Sequence, residues 1–494
     1  MTLATEALRG RRASGMNLRL ILLMVVLAAM AISLVLPIPG KQQGSLVLGL
    51  CLASILLVLN SPAWAAMPVL LTEMTLSSYY VGELGMSLRL LVVLLGFIVS
   101  LPMLRRVSLS DPLCRRVLLP ALLLLVIATA VNALYSESDY VIKYARYQTT
   151  QLLAMVLIIA VVATVRDVKK LATALCLIAV VVSIASILQH YAPSIAPYGV
   201  GDANTVQGWK GRSVGFSSSP VTLANQIAFV VMPLMGVFFS GAVGVGRRRV
   251  LALLGIMLLV GGMNFSYTRS AFFALAPATV ALALCLKGRA RMVLLAMVLL
   301  AVVAFQLLRG TGLIGSRYYK TAEDDRSAAS HQALWDVGFA IAMDHPILGI
   351  GHEHFEEVSA QYVDELNTSA DAAGGASAVG KERPHNDFLS VWTSWGIFAL
   401  LAYLALFWGM IRNYMSALGH SDRLISGLAA GCVGGVVLYA VNSAYHNYMD
   451  SSSVLWIYAG FSVVLARLAR LDSLSRLYAA YLARQRSQQE PLGR

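Results

Sequence analysis

Apolar runs of helix length recur along nearly the whole chain, and they restrict its fold more than any other feature. They cover 18–37, 44–59, 87–104, 117–135, 152–165, 171–188, 224–243, 250–265, 271–286, 292–308, 388–411, 424–441 and 454–465. Most approach the roughly 20 residues that cross a hydrocarbon core. A further run at 62–71 is too short to assign. Only 13% of residues are charged and 58% are hydrophobic, with mean hydropathy +0.71. Ordinary soluble domains carry about 25% charged residues, so that class is excluded. The expected fold is an all-α polytopic membrane protein of about 12–14 transmembrane helices. The first run is too long for a cleaved signal segment and reads as a retained helix.

The +13 net charge is scattered over short connectors and forms no single basic face, so nucleic acid is excluded as a partner. The clusters are Arg9, Arg11 and Arg12; Arg105, Arg106, Arg115 and Arg116; Arg166, Lys169 and Lys170; Arg247, Arg248 and Arg249; Lys287, Arg289 and Arg291; and the tail after Arg467. They fall on every second side of the bundle, the pattern of cytoplasmic loops, which puts both termini in the cytoplasm. The opposite side receives 136–148, 189–222, the turn around Arg269, 309–387 and 442–451. The long segment 309–387 carries 6 Lys or Arg against 13 Asp or Glu, a net charge of −7, as expected of a loop on the outer side. The expected units are therefore an N-terminal bundle (1–308), one large periplasmic loop (309–387), C-terminal helices (388–470) and a cytoplasmic tail (471–494). None of the five cysteines lies in an outer loop, so no disulfide framework is implied.

Segment 190–222, rich in Pro, Gly and Ser, is expected to fold back along the membrane without regular structure. The long loop divides into three. Asp325 or Ser327 caps a helix through Ala333, Leu334, Val337, Ala340 and Ile341 that ends at His345-Pro346. A second helix runs through Phe355, Val358, Tyr362 and Val363, and 369–380 is of low complexity.

Three outer-side positions carry most of the chemistry. Arg212 precedes the span near Leu223, Arg269 sits between two apolar runs, and His385 immediately precedes the span at Phe388. An arginine at membrane depth costs several kcal/mol unless it is paired, which marks it as functional by default. Two guanidinium forks match the oxygens of a diphosphate; the other reading is interfacial snorkelling or pairing with an acid such as Asp387. An imidazole, with an ordinary pKa of about 6.5, suits a general base at neutral pH. Asn386 either orients a sugar or, with Asp387, caps the next helix while His385 merely packs. Arg326, Tyr445, His446 and Asp450 are secondary candidates. So are Lys143 and Arg146 as headgroup contacts, although the tyrosines around them suit an aromatic belt. His352 and His354 read as a solvated turn, and Glu323-Asp324-Asp325 as an acidic helix start; neither makes a convincing metal site. The chain contains no phosphate-binding loop, dinucleotide fingerprint or serine nucleophile elbow.

In order along the chain stand Arg212 with Gly215-Phe216 and Pro220, then Thr268-Arg269-Ser270-Ala271. Arg326, Trp335 and His345-Pro346-Ile347-Leu348-Gly349-Ile350-Gly351 follow, and then Arg383-Pro384-His385-Asn386-Asp387. Together these resemble the O-antigen ligase and polymerase superfamily of bacterial surface-polysaccharide assembly. The resemblance implies a GT-C-like inner-membrane glycosyltransferase that takes a glycan from undecaprenyl diphosphate on the periplasmic side, without metal or other cofactor. By that analogy Arg212 and Arg269 hold the diphosphate, with Arg326 as a further contact, and His385 deprotonates an acceptor sugar hydroxyl with inversion. The acceptor is lipid A–core in a ligase, the first choice, and a second lipid-linked unit in a polymerase. A flippase or transporter also needs many helices and membrane arginines, but not a large outer loop ending in a histidine, and no internal repeat is visible.

Overall fold

The computed structural model describes residues 61–75, 80–81, 86–192, 211–217, 219–308, 311, 326–365, 383–449 and 452–489. Across these residues the regular structure is helical apart from a two-residue antiparallel ladder, β1 (Tyr80–Val81) with β2 (Met86–Ser87). The helices are α1 (Met67–Thr75), α2 (Leu88–Ser100), α3 (Pro112–Tyr135), α4 (Ser138–Val161), α5 (Val165–Tyr191), α6 (Pro220–Phe239) and α7 (Arg247–Asn264). They continue with α8 (Arg269–Cys285), α9 (Arg289–Leu308), α10 (Arg326–Asp344), α11 (Phe355–Glu365), α12 (Asp387–Ala417), α13 (Arg423–Ser443) and α14 (Val454–Gln489). Among the described residues 7 helices are long and apolar enough to cross a membrane: α3, α5, α6, α9, α12, α13 and α14. The chain is thus an all-α polytopic membrane protein.

Every expected run from 117 onward overlaps a helix, although 152–165, 224–243, 250–265 and 271–286 extend past the ends of α4, α6, α7 and α8 into the connectors. The runs at 18–37 and 44–59 lie outside the described residues. The run at 87–104 is shortened, because Pro102 falls in a 3-10 turn, Leu101–Arg106, that closes α2. A proline ring removes a backbone donor and crowds the preceding turn, so the α-helix stops before it. Starts are set by local chemistry. Asp111 caps α3 by accepting from Leu113 N, Thr164 and Asp167 form a reciprocal capping box on α5, and Ser219 caps α6 ahead of Pro220. Each satisfies backbone donors that a helix end leaves open.

α13 packs on α6 and α8, while α12 packs on α3 and α14. Small residues allow the closest approach, since apolar helices in lipid gain little from burial and must gain from contact. At Gly431 on α13, any Cβ would collide with the Met232 carbonyl of α6. α9 stands at the periphery, with only 6% of its apolar window buried. Successive connectors alternate between two ends of the bundle. One end gathers the start of α4, the residues 211–217, the turn 265–268, the start of α12 and the residues 444–449. The other gathers the basic connectors at Arg105–Arg106, Arg247–Arg249 and Lys287–Arg291.

The described part of the long polar segment, 326–365 and 383–387, folds against the first end. α10 packs on α12, and α11 on α10, around Ala333, Leu334, Val337, Ile341, Ile350 and Phe355. The residues between the two helices then pass as a turn into a break in α12. Ile350 N donates to Thr393 O at 2.9 Å, Gly351 N to Ser394 O at 3.0 Å, and Ile397 N to Pro346 O at 2.8 Å. These bonds replace rungs that a continuous α12 would have made internally. The break centres on Gly396, with φ +78°, a conformation that costs little only without a side chain. A Cβ there would also overlap the Ile347 carbonyl. The His345–Gly351 motif is therefore a clasp that fixes the outer helices to the bundle.

Candidate functional site

Arg212 is held on the turn that leads into Arg269. Its Nε donates to Ser266 O at 2.8 Å and its Nη2 to Thr268 Oγ1 at 3.2 Å. The strand beneath it is anchored independently: Ser213 N donates to Phe265 O, Ser213 Oγ to Ser186 O, and both Val214 N and Gly215 N to Gln189 Oε1 at 2.8 Å. The turn itself is strained, with Tyr267 at φ +50°, rare for a residue carrying a Cβ. Arg269 opens α8, so the Arg212 guanidinium is held against the turn that leads into Arg269, beside a helix N-terminus, where open backbone donors favour an anion.

Ser270 links this turn to histidines. Its hydroxyl lies 2.9 Å from His446 Nε2. The His446 ring is 6.4 Å from that of His385 and 6.0 Å from that of His331, and the His331 and His385 rings are 4.8 Å apart. These three imidazoles come from three separate elements: α10, the residue pair before α12, and the turn between α13 and α14. Burial holds the His446 pKa down at about 3, with His331, His385 and Arg212 adding to the same effect. His446 is therefore a neutral hydrogen-bonding group at neutral pH. The buried Asp387 carboxylate fixes this turn against α12 by accepting from Met449 N at 3.1 and 3.2 Å and from Tyr403 OH at 3.2 Å.

Asn386 caps α12, its Oδ1 accepting from Leu389 N at 3.1 Å, and its own N–H donates to Asn447 Oδ1 at 3.1 Å. The capping alternative thus describes the Asn386 side chain, which fixes the backbone immediately after His385. Lys143 and Arg146 are exposed on α4, and among the described residues no hydrogen bond or ion pair joins either to the imidazoles. Arg326 opens α10, but its side chain lies outside the described residues, as do Asp450 and the Glu323-Asp324-Asp325 run.

Two expectations need correction. His352 is not a solvated turn residue: it is 5% exposed. Its ring stacks on Trp395 (5.5 Å, 9°) and meets Tyr144 at 4.4 Å. Its Nδ1 meets Tyr140 OH and its Nε2 the Arg383 guanidinium, while its N–H donates to Asn132 Oδ1 at 3.1 Å. The clasp delivers it there, carrying the residue that follows Gly351 into the junction of α3, α4 and α12. For the same reason Tyr140 and Tyr144 serve the interior and are not membrane-belt anchors. His354 keeps a more exposed place, with Nε2 2.7 Å from Tyr135 O. His331 was missed because a lone histidine four residues before Trp335 on an amphipathic helix carries no distinguishing pattern.

Fold and site together define a multi-pass α-helical membrane protein whose polar residues converge at one end, with paired arginines and a histidine cluster. A family model described as O-antigen ligase matches residues 252–404. This stretch runs from within α7 to the middle of α12, and so contains Arg269, His331, the clasp and His385. Over that stretch, which is less than half of the chain, the sequence is similar to the O-antigen ligase family. The chain has no match among curated proteins.

Proposed function

We propose that this protein is an O-antigen ligase of the bacterial inner membrane, transferring a glycan from undecaprenyl diphosphate to lipid A–core on the periplasmic side. The observation that carries the reading is the Ser270–His446 contact, which joins the Arg212–Arg269 turn to the imidazoles around His385. The arginines and the α8 N-terminus hold the donor diphosphate and meet the charge that grows on it as it leaves. His385 accepts the proton of an acceptor sugar hydroxyl. The hydroxyl oxygen bonds to the anomeric carbon as the bond from that carbon to the diphosphate oxygen breaks. Attack from the face opposite the leaving group inverts the anomeric centre, and undecaprenyl diphosphate departs.

The test is transfer by the purified protein from a polyprenyl-diphosphate glycan, offered lipid A–core or a second lipid-linked unit. Glycan-bearing lipid A–core is expected, at an unchanged rate in the presence of a chelator. A ladder of lipid-linked oligomers would assign the chain to polymerisation instead. Failure with both acceptors would contradict the reading, and loss of activity with chelator would bring a metal into the mechanism.

A further inference from the structure

A groove adjoins the imidazole cluster through Trp335, one turn along α10 from His331, and Asn386, the residue after His385. It lies between α10 and α12, has a volume of about 330 Å³, and is lined by Trp335, Asp336, Phe339, Asn386, Leu389 and Trp392, among others. That volume is at the lower end of the ~300–1,000 Å³ typical of small-molecule sites, enough for a pyranose ring. Its aromatic walls are placed by independent contacts. Trp392 Nε1 donates to Pro346 O of the clasp at 3.3 Å, and Phe339 meets Trp392 edge-on at 6.0 Å. Trp335 packs on Tyr445 at 5.5 Å, and its buried Nε1–H has no hydrogen-bond partner among the described residues.

We infer that this groove is a carbohydrate subsite that holds a pyranose ring of the acceptor beside His385. His331, Trp335 and Phe339 recur every four residues, so they form one face of α10. The first meets the His385 ring at 4.8 Å, and the last meets Trp392 at the far wall. A ring seated along that face has one edge at the imidazoles. Sugar C–H bonds pack on the electron-rich faces of indole and phenyl groups. The Asp336 carboxylate accepts and the Asn386 amide nitrogen donates, its oxygen being engaged in the cap of α12, the pair of functions that a run of hydroxyls requires. The assignment to acceptor over donor rests on the proposed function. With the diphosphate on the Arg212–Arg269 side, reached through Ser270 and His446, an inverting attack brings the nucleophile from the other side.

The experiment pairs kinetics with direct binding, using Asp336→Ala and Phe339→Ala, both exposed positions whose variants are checked by thermal unfolding. Each is expected to raise KM for lipid A–core about tenfold while kcat and the donor KM stay within about twofold. Lipid-free core oligosaccharide is expected to bind the wild-type protein in saturation-transfer NMR and to lose that signal with Asp336→Ala. Binding is measured without turnover, so oligosaccharide binding by a protein that transfers nothing would leave the subsite standing and remove the catalytic reading. Unchanged acceptor KM and binding would overturn the subsite, and a rise in donor KM alone would assign the groove to the donor glycan and overturn the acceptor. Quenching of Trp335 by brominated phospholipid, undiminished by the oligosaccharide and absent from Trp335→Phe, would show a lipid chain in the groove and overturn the inference.

Discussion

His446 shows how much one side chain decides here. Its folded pKa of about 3 lies below the imidazole's ordinary value of about 6.5. Between those values the unfolded chain takes up a proton that the folded site refuses, so stability is full above about pH 6.5 and falls as pH drops toward 3. Thermal unfolding in detergent is expected to shift downward between pH 7 and pH 5. His446→Gln, which retains a hydrogen-bonding group for Ser270, should flatten that slope; an equal slope in the variant would show that another group titrates. Arg269→Lys keeps the charge and loses the fork. A charge-assisted hydrogen bond is worth roughly 1.5–3 kcal/mol, so donor KM is expected to rise at least tenfold, with acceptor KM unchanged. Wild-type donor use would separate Arg269 from the diphosphate.

At the scale of elements, the clasp is the feature on which the site depends. It places His352 against Arg383, two residues before His385, and it fills the break in α12. Gly396→Ala adds a Cβ that would overlap the Ile347 carbonyl at a backbone angle costing ~1–3 kcal/mol for a residue with a side chain. The variant is expected to melt several degrees lower and to lose most of its transfer activity; an unchanged melting temperature would mean that the clasp is not holding the outer helices. The spans were legible in the sequence because continuous apolar runs need no tertiary context, and helices α10 and α11 were legible from their periodicity. The clasp was not. Its backbone bonds pair residues more than 40 positions apart, and the one local sign, a glycine inside an otherwise helical run at 396, is ambiguous until its partner is known. Reading His352 as solvated was the direct consequence.

Across the whole molecule, charge and site separate to opposite ends. Arg212, Arg269 and His385 were legible as single residues, because an arginine or histidine at the edge of an apolar run is conspicuous. Their meeting point was not, since it is made by His331 and His446 from elements far apart in the chain. The proposed orientation puts the imidazole end outside the cell's inner membrane and the basic connectors inside. Cysteines introduced at Tyr445 (43% exposed) and Val245 (87% exposed) test it in spheroplasts with a membrane-impermeant maleimide, measured above the wild-type background. Tyr445→Cys is expected to label intact spheroplasts and Val245→Cys only lysed ones; the reverse pattern would invert the topology.

The central claim is that His385 takes the acceptor's proton while the arginines hold the donor. Single-turnover transfer by His385→Ala, with donor binding measured on the same preparation, tests it most directly. General-base catalysis contributes roughly 10²–10⁴-fold, so transfer is expected to fall by at least about a hundredfold while donor affinity is kept. Transfer at the wild-type rate, with the donor bound as before, would contradict it.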